Sequence, residues 1–537
     1  MGEKLLFVRR GRFEFCHPNK KEREVRSVKR IFALILILIM LLSCGCAVEE
    51  LPEGSQLGAY SGEEEKDTIS LPARESITMI YYPDMDTHPL TTTNSENHEL
   101  LKLVYSPLVR VAGSMTAEYV LAESVTNKDR TVTVKLKKDL LFSDKSKVQA
   151  EDVTAGFRLI RKDKNSPYYD RLANVEDYWA EDSRTVKIRL KEPDVDFINY
   201  LDIPVVKREK AVGCGPYRFS DLNGKTVLVP NKHYFEAPKI KVIELCSPAN
   251  EKERQNMFTL GLLDVYFMPT ESELTFSGGK DYRVQTYSGD HFLYLGINGA
   301  NGYLKNAAFR RYFSGILDRE KLVKDVLLGQ ADATAYPFQP TWYKAAGLAH
   351  SADWTDPEKK QLAKELGLTL SGNQLSDQKG KQVTLSLLVN KSSDVHLALA
   401  AAIADNLSVS GIKIKLVKAG KEEYLNRLKE GKYALYLGEV KTGRTLNTAV
   451  YRAGSPLCYS SPAAPKTEAA AAAYTAGKKT LSAFAESFGK EMPVIPLAYR
   501  QGVLLVSSDI SDFKSTGTWS VYGDICKIKT LETEVPS

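Results

Sequence analysis

Cysteine is scarce in this sequence. There are seven cysteines among 537 residues, and beyond Cys46 the chain has only Cys214, Cys246, Cys458 and Cys526. Four cysteines allow three pairings, and no two of these four form a C-x-x-C motif. The spacing therefore indicates neither a zinc site nor a dense disulfide framework, and we expect four free, buried thiols.

The motifs of several enzyme classes are also missing. The sequence has no G-x-S-x-G nucleophile motif, no H-E-x-x-H zinc motif and no P-loop, and its seven histidines are scattered. The glycines of Val212–Tyr217 do not form a dinucleotide-binding loop, because Arg218 stands where the third glycine belongs and Pro216 removes a needed N–H. We expect a protein that is not an enzyme and that holds no cofactor.

One short loop could hold a metal ion. Asp84, Asp86 and His88 alternate between Pro83 and Pro89, and carboxylate and imidazole groups are common metal ligands. Asx turns in an irregular loop explain both aspartates equally well. We therefore predict no metal site here.

Long apolar runs are absent as well. The run Ile31–Leu42 has twelve residues, whereas a membrane-spanning helix needs about 20. Lys29-Arg30 precedes the run, as in a secretion signal, and an uncleaved signal anchor is the alternative. Leu41 and Ser43 before Cys44 resemble the bacterial lipobox. We expect residues 1–43 to be a lipoprotein signal peptide and Cys44, or alternatively Cys46, to carry the lipid.

The positive charge is confined to that leader. Residues 1–43 contain ten Lys and Arg and four Glu, and their net charge of +6 equals that of the whole chain. The remaining residues are therefore balanced, which argues against nucleic-acid binding. Residues 44–71 are acidic, rich in small residues and without apolar periodicity, so they predict a flexible tether.

The most informative stretch is Phe292–Tyr343. Phe292–Asn298 is apolar and aromatic, which predicts a buried strand. From Ala307 to Leu328 the apolar residues recur at helical spacing, with Asp318 placed to cap a second helix. An extended aromatic arm follows. Such an arm joins two bodies of a protein more naturally than it builds a catalytic loop.

This stretch resembles a segment of the bacterial extracellular solute-binding proteins of family 5, the peptide- and nickel-binding class of ABC importers. In that family a strand ending in Asn precedes a helix with an aromatic residue beside a basic one, then Asp-Arg, Gly-x-Ala and a proline-containing arm. The corresponding residues here are Asn298, Phe309-Arg310, Asp318-Arg319, Gly329-Gln330-Ala331 and Pro337 with Pro340.

Weaker matches precede it in the family's order. They are Glu99–Val109, which we predict to be a helix, Leu121–Ser124, Phe142–Asp144, Gln149–Val153, Val212–Tyr217 and Val227–Phe235. One departure is Lys145, where the family usually has glycine. We expect the turn at Lys145 to use an ordinary, negative φ.

The later part of the chain alternates strands and helices. This β-α-β-α-β order predicts parallel neighbouring strands joined by crossover helices. A single alanine-rich helix is predicted at Ala469–Phe488, followed by a return crossing at Pro493–Leu497. The alternating segments are Gln382–Val389, Val395–Leu407, Gly411–Val417, Glu422–Lys429 and Tyr433–Leu437.

The resemblance implies an α/β, two-lobed periplasmic-binding-protein-like fold of type II. Its large first lobe, with an extra subdomain at about 104–232, would cover residues 72–297. The second lobe would cover 298–494, and residues 495–537 would return to the first lobe. The hinge crossings would fall near 296–300 and 493–498.

A ligand is expected at the carboxyl ends of the second-lobe strands, which points to Gly438–Pro456. Peptide-binding relatives often carry an aspartate there that captures an amino group. Here the segment has one acid, Glu439, and three cations, Lys441, Arg444 and Arg452. We hypothesise that Arg444 or Arg452 pairs with an anionic group of the ligand; a solvated loop is the alternative. Further candidate ligand residues are Tyr82, Tyr105, Asn298, Tyr436 and Tyr499.

The resemblance implies a monomeric, lipid-anchored receptor on the extracytoplasmic face of the bacterial membrane. It would bind peptides between lobes that close on the ligand, and pass them to the permease and ATPase subunits of an ABC importer. Two alternatives stay open: a signalling or structural lipoprotein with the same fold, and a receptor for a non-peptide solute such as a nickel chelate or a sugar.

Overall fold

The protein is described by a computed structural model that covers residues 68–71, 74–208, 210–270, 282–348, 355–511, 517–518, 520–531 and 533–536. The predicted signal peptide, Cys44, Cys46 and the tether up to residue 67 lie outside the described residues. Within these residues, no helix combines the length and the apolar character that a membrane crossing requires.

Between residues 68 and 270 the described elements are mostly β-strands. They are β1 (Thr68–Leu71), β2 (Ser76–Ile80), α1 (Ser95–Leu101), β3 (Val109–Val111), β4 (Ala117–Tyr119), β5 (Ala122–Lys128), β6 (Thr131–Leu136), α2 (Ala150–Lys162), β7 (Val175–Asp182), β8 (Thr185–Leu190), β9 (Tyr217–Leu222), β10 (Lys225–Pro230), β11 (Val242–Cys246), α3 (Glu251–Thr259) and β12 (Val265–Met268).

From residue 282 onwards helices and strands alternate more evenly. The elements are β13 (Tyr282–Ile297), α4 (Ala307–Gly315), α5 (Arg319–Asp325), β14 (Ala331–Ala333), α6 (Asp356–Glu365), β15 (Thr369–Ser371), β16 (Gln374–Ser376), β17 (Thr384–Asn390), α7 (Asp394–Val409), β18 (Lys413–Ala419), α8 (Lys421–Lys429), β19 (Leu435–Lys441), α9 (Pro465–Thr475), α10 (Leu481–Glu491), β20 (Val494–Ser507), β21 (Ile510–Ser511), β22 (Lys529–Thr530) and β23 (Thr533–Pro536).

The first lobe is built on two four-stranded sheets. One has the order β2-β11-β10-β9 and the other the order β5-β6-β8-β7. In β6 and β8 every second residue is buried, as expected for strands with one face on a core. Helix α2 packs on β7 and β8, and Phe157, Val134 and Ile188 share one apolar core with residues of β2 and β11.

A mixed sheet with the order β12-β20-β13-β19-β17-β18 runs from the first lobe, where Val265 and Phe267 of β12 pack in the apolar core, into the second lobe. Strand β17 pairs in parallel with both β18 and β19, so the predicted parallel neighbours are confirmed. Strand β13 is antiparallel to β19 and to β20. A second apolar core covers the second-lobe part of this sheet, and it contains Phe313, Leu387, Ile403 and Phe484.

Strands β13 and β20 carry the chain between the lobes. Tyr287 packs in the first-lobe core, whereas Phe292 packs in the second-lobe core. On the partner strand, Leu504 and Tyr499 divide in the same way. The β13–β20 register shifts between Ser288 and His291, which marks a bulge at this point. The chain therefore passes from one core to the other between residues 287 and 292 on β13 and between residues 499 and 504 on β20. The first crossing lies before the predicted 296–300, and the second lies after the predicted 493–498.

Three tyrosines pack over glycines on neighbouring strands. Tyr294 faces Gly438 and Tyr436 faces Gly296 across the β13–β19 pair, and Tyr287 faces Gly502 across β13–β20. A Cβ atom at Gly296 would lie 1.9 Å from the ring of Tyr436. Glycine is thus required at this position by the close approach of the ring.

Two buried arginines explain part of the family motif. The guanidinium of Arg310 donates to the carbonyl of Met492 (2.9 Å) and that of Arg319 to the carbonyl of Pro496 (2.8 Å). Asp318 caps α5 by accepting the N–H of Lys321 (2.9 Å), as predicted. The two helices that follow the first crossing are thereby tied to the start of the second.

The turn at Lys145 does not follow the prediction. Lys145 has a φ of 71°, in the left-handed region that we expected it to avoid. The turn is tight, because the N–H of Phe142 donates to the carbonyl of Ser146 (2.8 Å). Glycine at this position would be unstrained, and lysine adopts the strained conformation instead.

Three element boundaries also differ from the predictions. Residues Thr68–Leu71, predicted as tether, form β1 and pair with β23. The helix predicted over Glu99–Val109 spans Ser95–Leu101, because Asn94 caps it by accepting the N–H of Asn97 (2.8 Å) and Val109 begins β3.

The helix predicted over Ala469–Phe488 is two helices. Gly477, with a φ of 70°, separates α9 from α10, and Thr480 caps the second of them.

The four cysteines Cys214, Cys246, Cys458 and Cys526 are free, as predicted, but Cys246 and Cys458 are only half-buried.

Candidate ligand-binding cleft

A cavity of about 260 Å³ opens where the two lobes meet. Its walls come from the first lobe, the crossing strands and the second lobe, so it belongs to neither lobe alone. Its size is near the lower end of the roughly 300–1,000 Å³ usual for small-molecule sites. The lining residues are Thr92, Thr93, Ser95, His98, Glu99, Lys102, Pro167, Arg171, Phe267, Pro269, Thr270, Asp290, Lys441, Arg444 and Thr518.

Helix α1 supplies the first-lobe wall. Ser95, His98, Glu99 and Lys102 follow the i, i+3, i+4, i+7 spacing that places side chains on one face of a helix, and all four line the cavity. The Asn94 cap fixes where this helix begins, and hence which face turns inward. The amine of Lys102 lies 2.5 Å from the carboxylate of Glu99.

The opposite wall begins where β19 ends. Lys441 is the last residue of β19, and Arg444 follows in the next loop. Asp290, in the β13 bulge, accepts at its carbonyl both the N–H (2.7 Å) and the hydroxyl (2.9 Å) of Thr442. The bulge on one strand thus holds the end of the other against the cavity.

A buried charge cluster joins the two walls. The carboxylate of Asp202 lies 2.6 Å from a guanidinium nitrogen of Arg171 and 2.8 Å from one of Arg444. All three side chains are at most 10% exposed. Burial lowers the pKa of Arg444 to about 10, and repulsion from Arg171 contributes to the shift. Both cations therefore bind Asp202 in a poorly hydrated place, and the charge of Asp290 also attracts Arg444.

Burial shifts the pKa values of two further groups of the first-lobe wall, Lys102 and His98. Burial lowers the pKa of Lys102, although Glu99 opposes the shift. The pKa of His98 lies well below its usual range, because the ring is buried and because Lys102, Arg171, Arg444 and Lys441 are close. His98 is therefore a neutral imidazole at pH 7, and the net charge of the lining is positive.

Of the candidate residues from the sequence, Arg444 lines this cavity. Arg452 is exposed and does not line it. Glu439 lies inside β19 rather than in a loop, and its carboxylate binds His291 (2.9 Å), His396 (2.8 Å) and Arg500 (3.3 Å). Burial alone would raise the pKa of Glu439, but these three partners lower it.

The candidate tyrosines and Asn298 also lie elsewhere. Tyr436 and Tyr499 are 1% and 2% exposed in the second-lobe core. The hydroxyl of Tyr105 donates to the carbonyl of Ala211 (2.9 Å), and the amide of Asn298 donates to the carbonyl of Tyr433 (2.9 Å). Tyr82 is half-buried, and its hydroxyl accepts from Arg254 (3.4 Å). Their side chains are engaged within the protein rather than directed into this cavity.

Arg171, Asp202 and the α1 face did not emerge from the sequence. The α1 residues follow a helical spacing that a correctly placed helix would have revealed. Arg171 and Asp202 carry no local signal, because their roles arise from contacts between distant parts of the chain.

In the loop with Asp84, the carboxylate of Asp86 accepts the N–H of His88 (2.9 Å), which forms the Asx turn. Among the described residues, no group of His, Cys, Asp and Glu is arranged to hold a metal ion.

Comparisons with known proteins agree on one family. The model of the bacterial extracellular solute-binding proteins, family 5 (middle), matches residues 116–452. The oligopeptide-binding protein AppA of Bacillus subtilis is 24% identical over 360 residues, which are 61% of this chain and 65% of that protein. The nickel-binding periplasmic protein of Escherichia coli is 23% identical over 362 residues, 62% of this chain and 69% of that protein.

Solved structures resemble the fold over most of the chain. A nickel ABC transporter protein from Bacillus halodurans superposes with a TM-score of 0.70 at 19% identity, covering 85% of this chain and all of that one. The periplasmic murein tripeptide-binding protein MppA, in its unliganded open form, also gives 0.70, at 17% identity, covering 86% and 98%. These similarities show the predicted two-lobed fold.

Proposed function

The chain belongs to family 5 of the bacterial extracellular solute-binding proteins, and we propose that it is the extracytoplasmic receptor of an ABC importer. The observation that carries this proposal is the cavity whose walls come from both lobes. A ligand held between two lobes stabilises their closed arrangement through contacts that the open arrangement lacks. The permease and ATPase subunits of an importer would respond to the closed form. In this role the protein binds its ligand without transforming it.

We propose further that the ligand is a short peptide or a similarly small solute with an anionic group. Arg444, with Arg171 beside it, would pair with that group, since the cavity lining carries four cations, Lys102, Arg171, Lys441 and Arg444, against two carboxylates, Glu99 and Asp290. Guanidinium groups bind carboxylates through paired, charge-assisted hydrogen bonds. The small cavity favours a ligand of a few residues over a long extended peptide.

The membrane anchor remains part of this proposal. Cys44, or alternatively Cys46, would carry the lipid and hold a monomeric receptor at the outer face of the cell membrane. Mass spectrometry of the membrane-bound protein should find a lipidated cysteine at its N-terminus. Replacement Cys44→Ser should abolish lipidation if Cys44 is the site, whereas persistence of a lipid on Cys46 would identify the alternative.

A thermal-shift screen tests the receptor function. The protein from residue 47 onward is heated with neutral short peptides, acidic short peptides, Ni²⁺ with histidine, and oligosaccharides. A native-state ligand at a hundred times its Kd raises the free energy of unfolding by about 2.7 kcal/mol. We expect a saturable rise in Tm with acidic short peptides. A rise with Ni²⁺–histidine or an oligosaccharide would favour a non-peptide receptor, and no rise with any class would favour the signalling or structural role.

A further inference from the structure

One segment of the first lobe reaches across to the second lobe. Residues Asp194–Asp202 follow β8, and Phe197 and Leu201 pack in the first-lobe core. The polar groups of the same segment bind residues between 344 and 475 in the second lobe. These contacts connect the two lobes without a ligand between them. Of the residues that make them, Arg444 lines the cavity and the others do not.

The near end of the segment is anchored by Asp196. Its carboxylate is buried, accepts the hydroxyl of Tyr474 (2.7 Å) and forms an ion pair with the amine of Lys344. The N–H of Val195 donates to the carbonyl of Thr475 (2.8 Å). A buried carboxylate is stable as an anion only with such partners. Separating the lobes would remove these partners together.

The far end of the segment holds the loop that carries Arg444. The amide of Asn199 donates to the carbonyl of Arg444 (3.1 Å), and the hydroxyl of Tyr200 lies 2.9 Å from that of Thr445. The carboxylate of Asp202 binds the Arg444 guanidinium (2.8 Å). The backbone and the side chain of Arg444 are therefore both fixed by the first lobe.

We infer that Asp194–Asp202 is an interlobe latch, in which Asp196 secures the lobes and Asn199, Tyr200 and Asp202 position Arg444 in the cavity. Since Asp196 does not touch the cavity, it acts on binding through the position of Arg444, as a positioning residue. The latch thus adds a favourable contribution to closure that is the same for every ligand. This inference rests on the proposed function in that closure matters because the ligand lies between the lobes.

Hydroxyl-radical footprinting of the full chain tests the latch without any ligand. The rate of side-chain modification is measured at Tyr474 and Tyr200, which lie on opposite lobes, in the wild type and in Asp196→Asn. Buried Tyr217 of the first-lobe core reports unfolding. The matched control is Glu192→Gln, which makes the same chemical change at an exposed position just before the segment.

We expect Asp196→Asn to raise modification of both Tyr474 and Tyr200 about tenfold, because a buried, charge-assisted interaction is lost. Tyr217 and the control should not change. If Tyr217 also becomes reactive, the variant has unfolded. Lys344→Gln, which leaves the Tyr474–Asp196 hydrogen bond in place, then tests the latch. We expect it to raise modification of Tyr474 and Tyr200 by a smaller factor and to leave Tyr217 unchanged.

The latch is contradicted if Tyr474 and Tyr200 keep their wild-type rates. It is equally contradicted if Tyr474 alone becomes reactive, since that would be the local loss of one hydrogen bond rather than a separation of lobes. Because the measurement needs no ligand, its result is independent of the solute screen. A protein that binds no tested solute can still have the latch, and a receptor can lack it.

Discussion

At the scale of single residues, Lys145 occupies a turn position that favours glycine. Its φ of 71° places it in the left-handed region, which costs a non-glycine residue roughly 1–2 kcal/mol. Glycine loses more entropy on folding, so the net gain is smaller. We expect Lys145→Gly to stabilise the protein by about 1 kcal/mol in urea unfolding. Lys147, which pairs with Leu141 in an isolated β-bridge, is the control. Lys147→Gly should not stabilise the protein, and an equal gain there would show that the gain does not come from the φ of Lys145.

Asp194 is a second residue with a measurable effect. Burial raises the pKa of Asp194 to about 6; the hydrogen bond from the N–H of Asp196 opposes this shift, and the charge of Asp196 adds to it. A carboxyl group with a raised pKa holds its proton more tightly in the folded state, so its contribution to stability is best at low pH and falls as pH rises from about 4 to 6. Above about pH 6 the loss of folding free energy caused by the buried Asp194 charge stays constant.

The substitution Asp194→Asn removes this titration. The amide oxygen can still accept the N–H of Asp196, which now lies 3.0 Å from Asp194 Oδ1. We expect Asp194→Asn to raise the free energy of unfolding at pH 7.5, by at most about 3 kcal/mol, and to give little gain at pH 4. Equal effects at both pH values in denaturant titrations would show that the Asp194 charge is not what limits stability.

The candidate ligand residues differ in how well their positions could be predicted from the sequence. Tyr436 was one of the weaker candidates, because tyrosines near strand ends usually serve packing, and it packs over Gly296 on the neighbouring strand. Whether such a side chain faces a cleft or a glycine depends on strand register, which involves residues far apart in sequence. Arg444 was selected because its segment follows the end of a predicted strand and contains three cations and one acid, which is a local pattern.

At the scale of secondary-structure elements, the long pair β13–β20 connects the lobes, and β13 is held to β19 by tyrosines packed on glycines. A Cβ at Gly296 would collide with the Tyr436 ring at 1.9 Å. Overpacking typically costs about 1–3 kcal/mol, and this sheet has little room to relax. We expect Gly296→Ala to destabilise the protein by about 3 kcal/mol.

The matched control for that substitution is Gly302→Ala. A Cβ at Gly302 would meet no atom within 4 Å, so its effect on the free energy of unfolding should be small. Both variants are compared by urea unfolding. Similar losses in the two variants would mean that the cost comes from backbone conformation rather than from the tyrosine ring.

Periodicity predicted the elements of the second lobe well and their ends less well. The alternation of strand and helix patterns along the chain predicted β17, β18 and β19 and their parallel pairing. The split between α9 and α10 was missed because alanine favours a helix throughout, while Gly477 and the cap at Thr480 act at single positions. The helix α1 was placed too late because its Asn94 cap was not recognised.

At the scale of the whole molecule, the two-lobed architecture followed from motifs that each carry little information but occur in the right order. The cavity could not be derived in this way. Arg171, Asp202 and Arg444 come from distant parts of the chain, and their cluster forms only when the lobes meet. The latch is hidden from the sequence for the same reason.

On the proposed function, this cavity holds an anionic solute through Arg444. The most direct test is titration calorimetry of the strongest ligand from the solute screen and of its amidated counterpart, on the wild type, Arg444→Gln and Arg452→Gln. Arg452 is exposed and away from the cavity, so it is the matched control.

We predict that the wild type and Arg452→Gln bind the carboxylate form at least roughly tenfold more tightly than the amide, and that Arg444→Gln loses this preference. Equal affinity of the wild type for both forms, or a preference that survives in Arg444→Gln, would show that Arg444 does not bind the anionic group of the ligand.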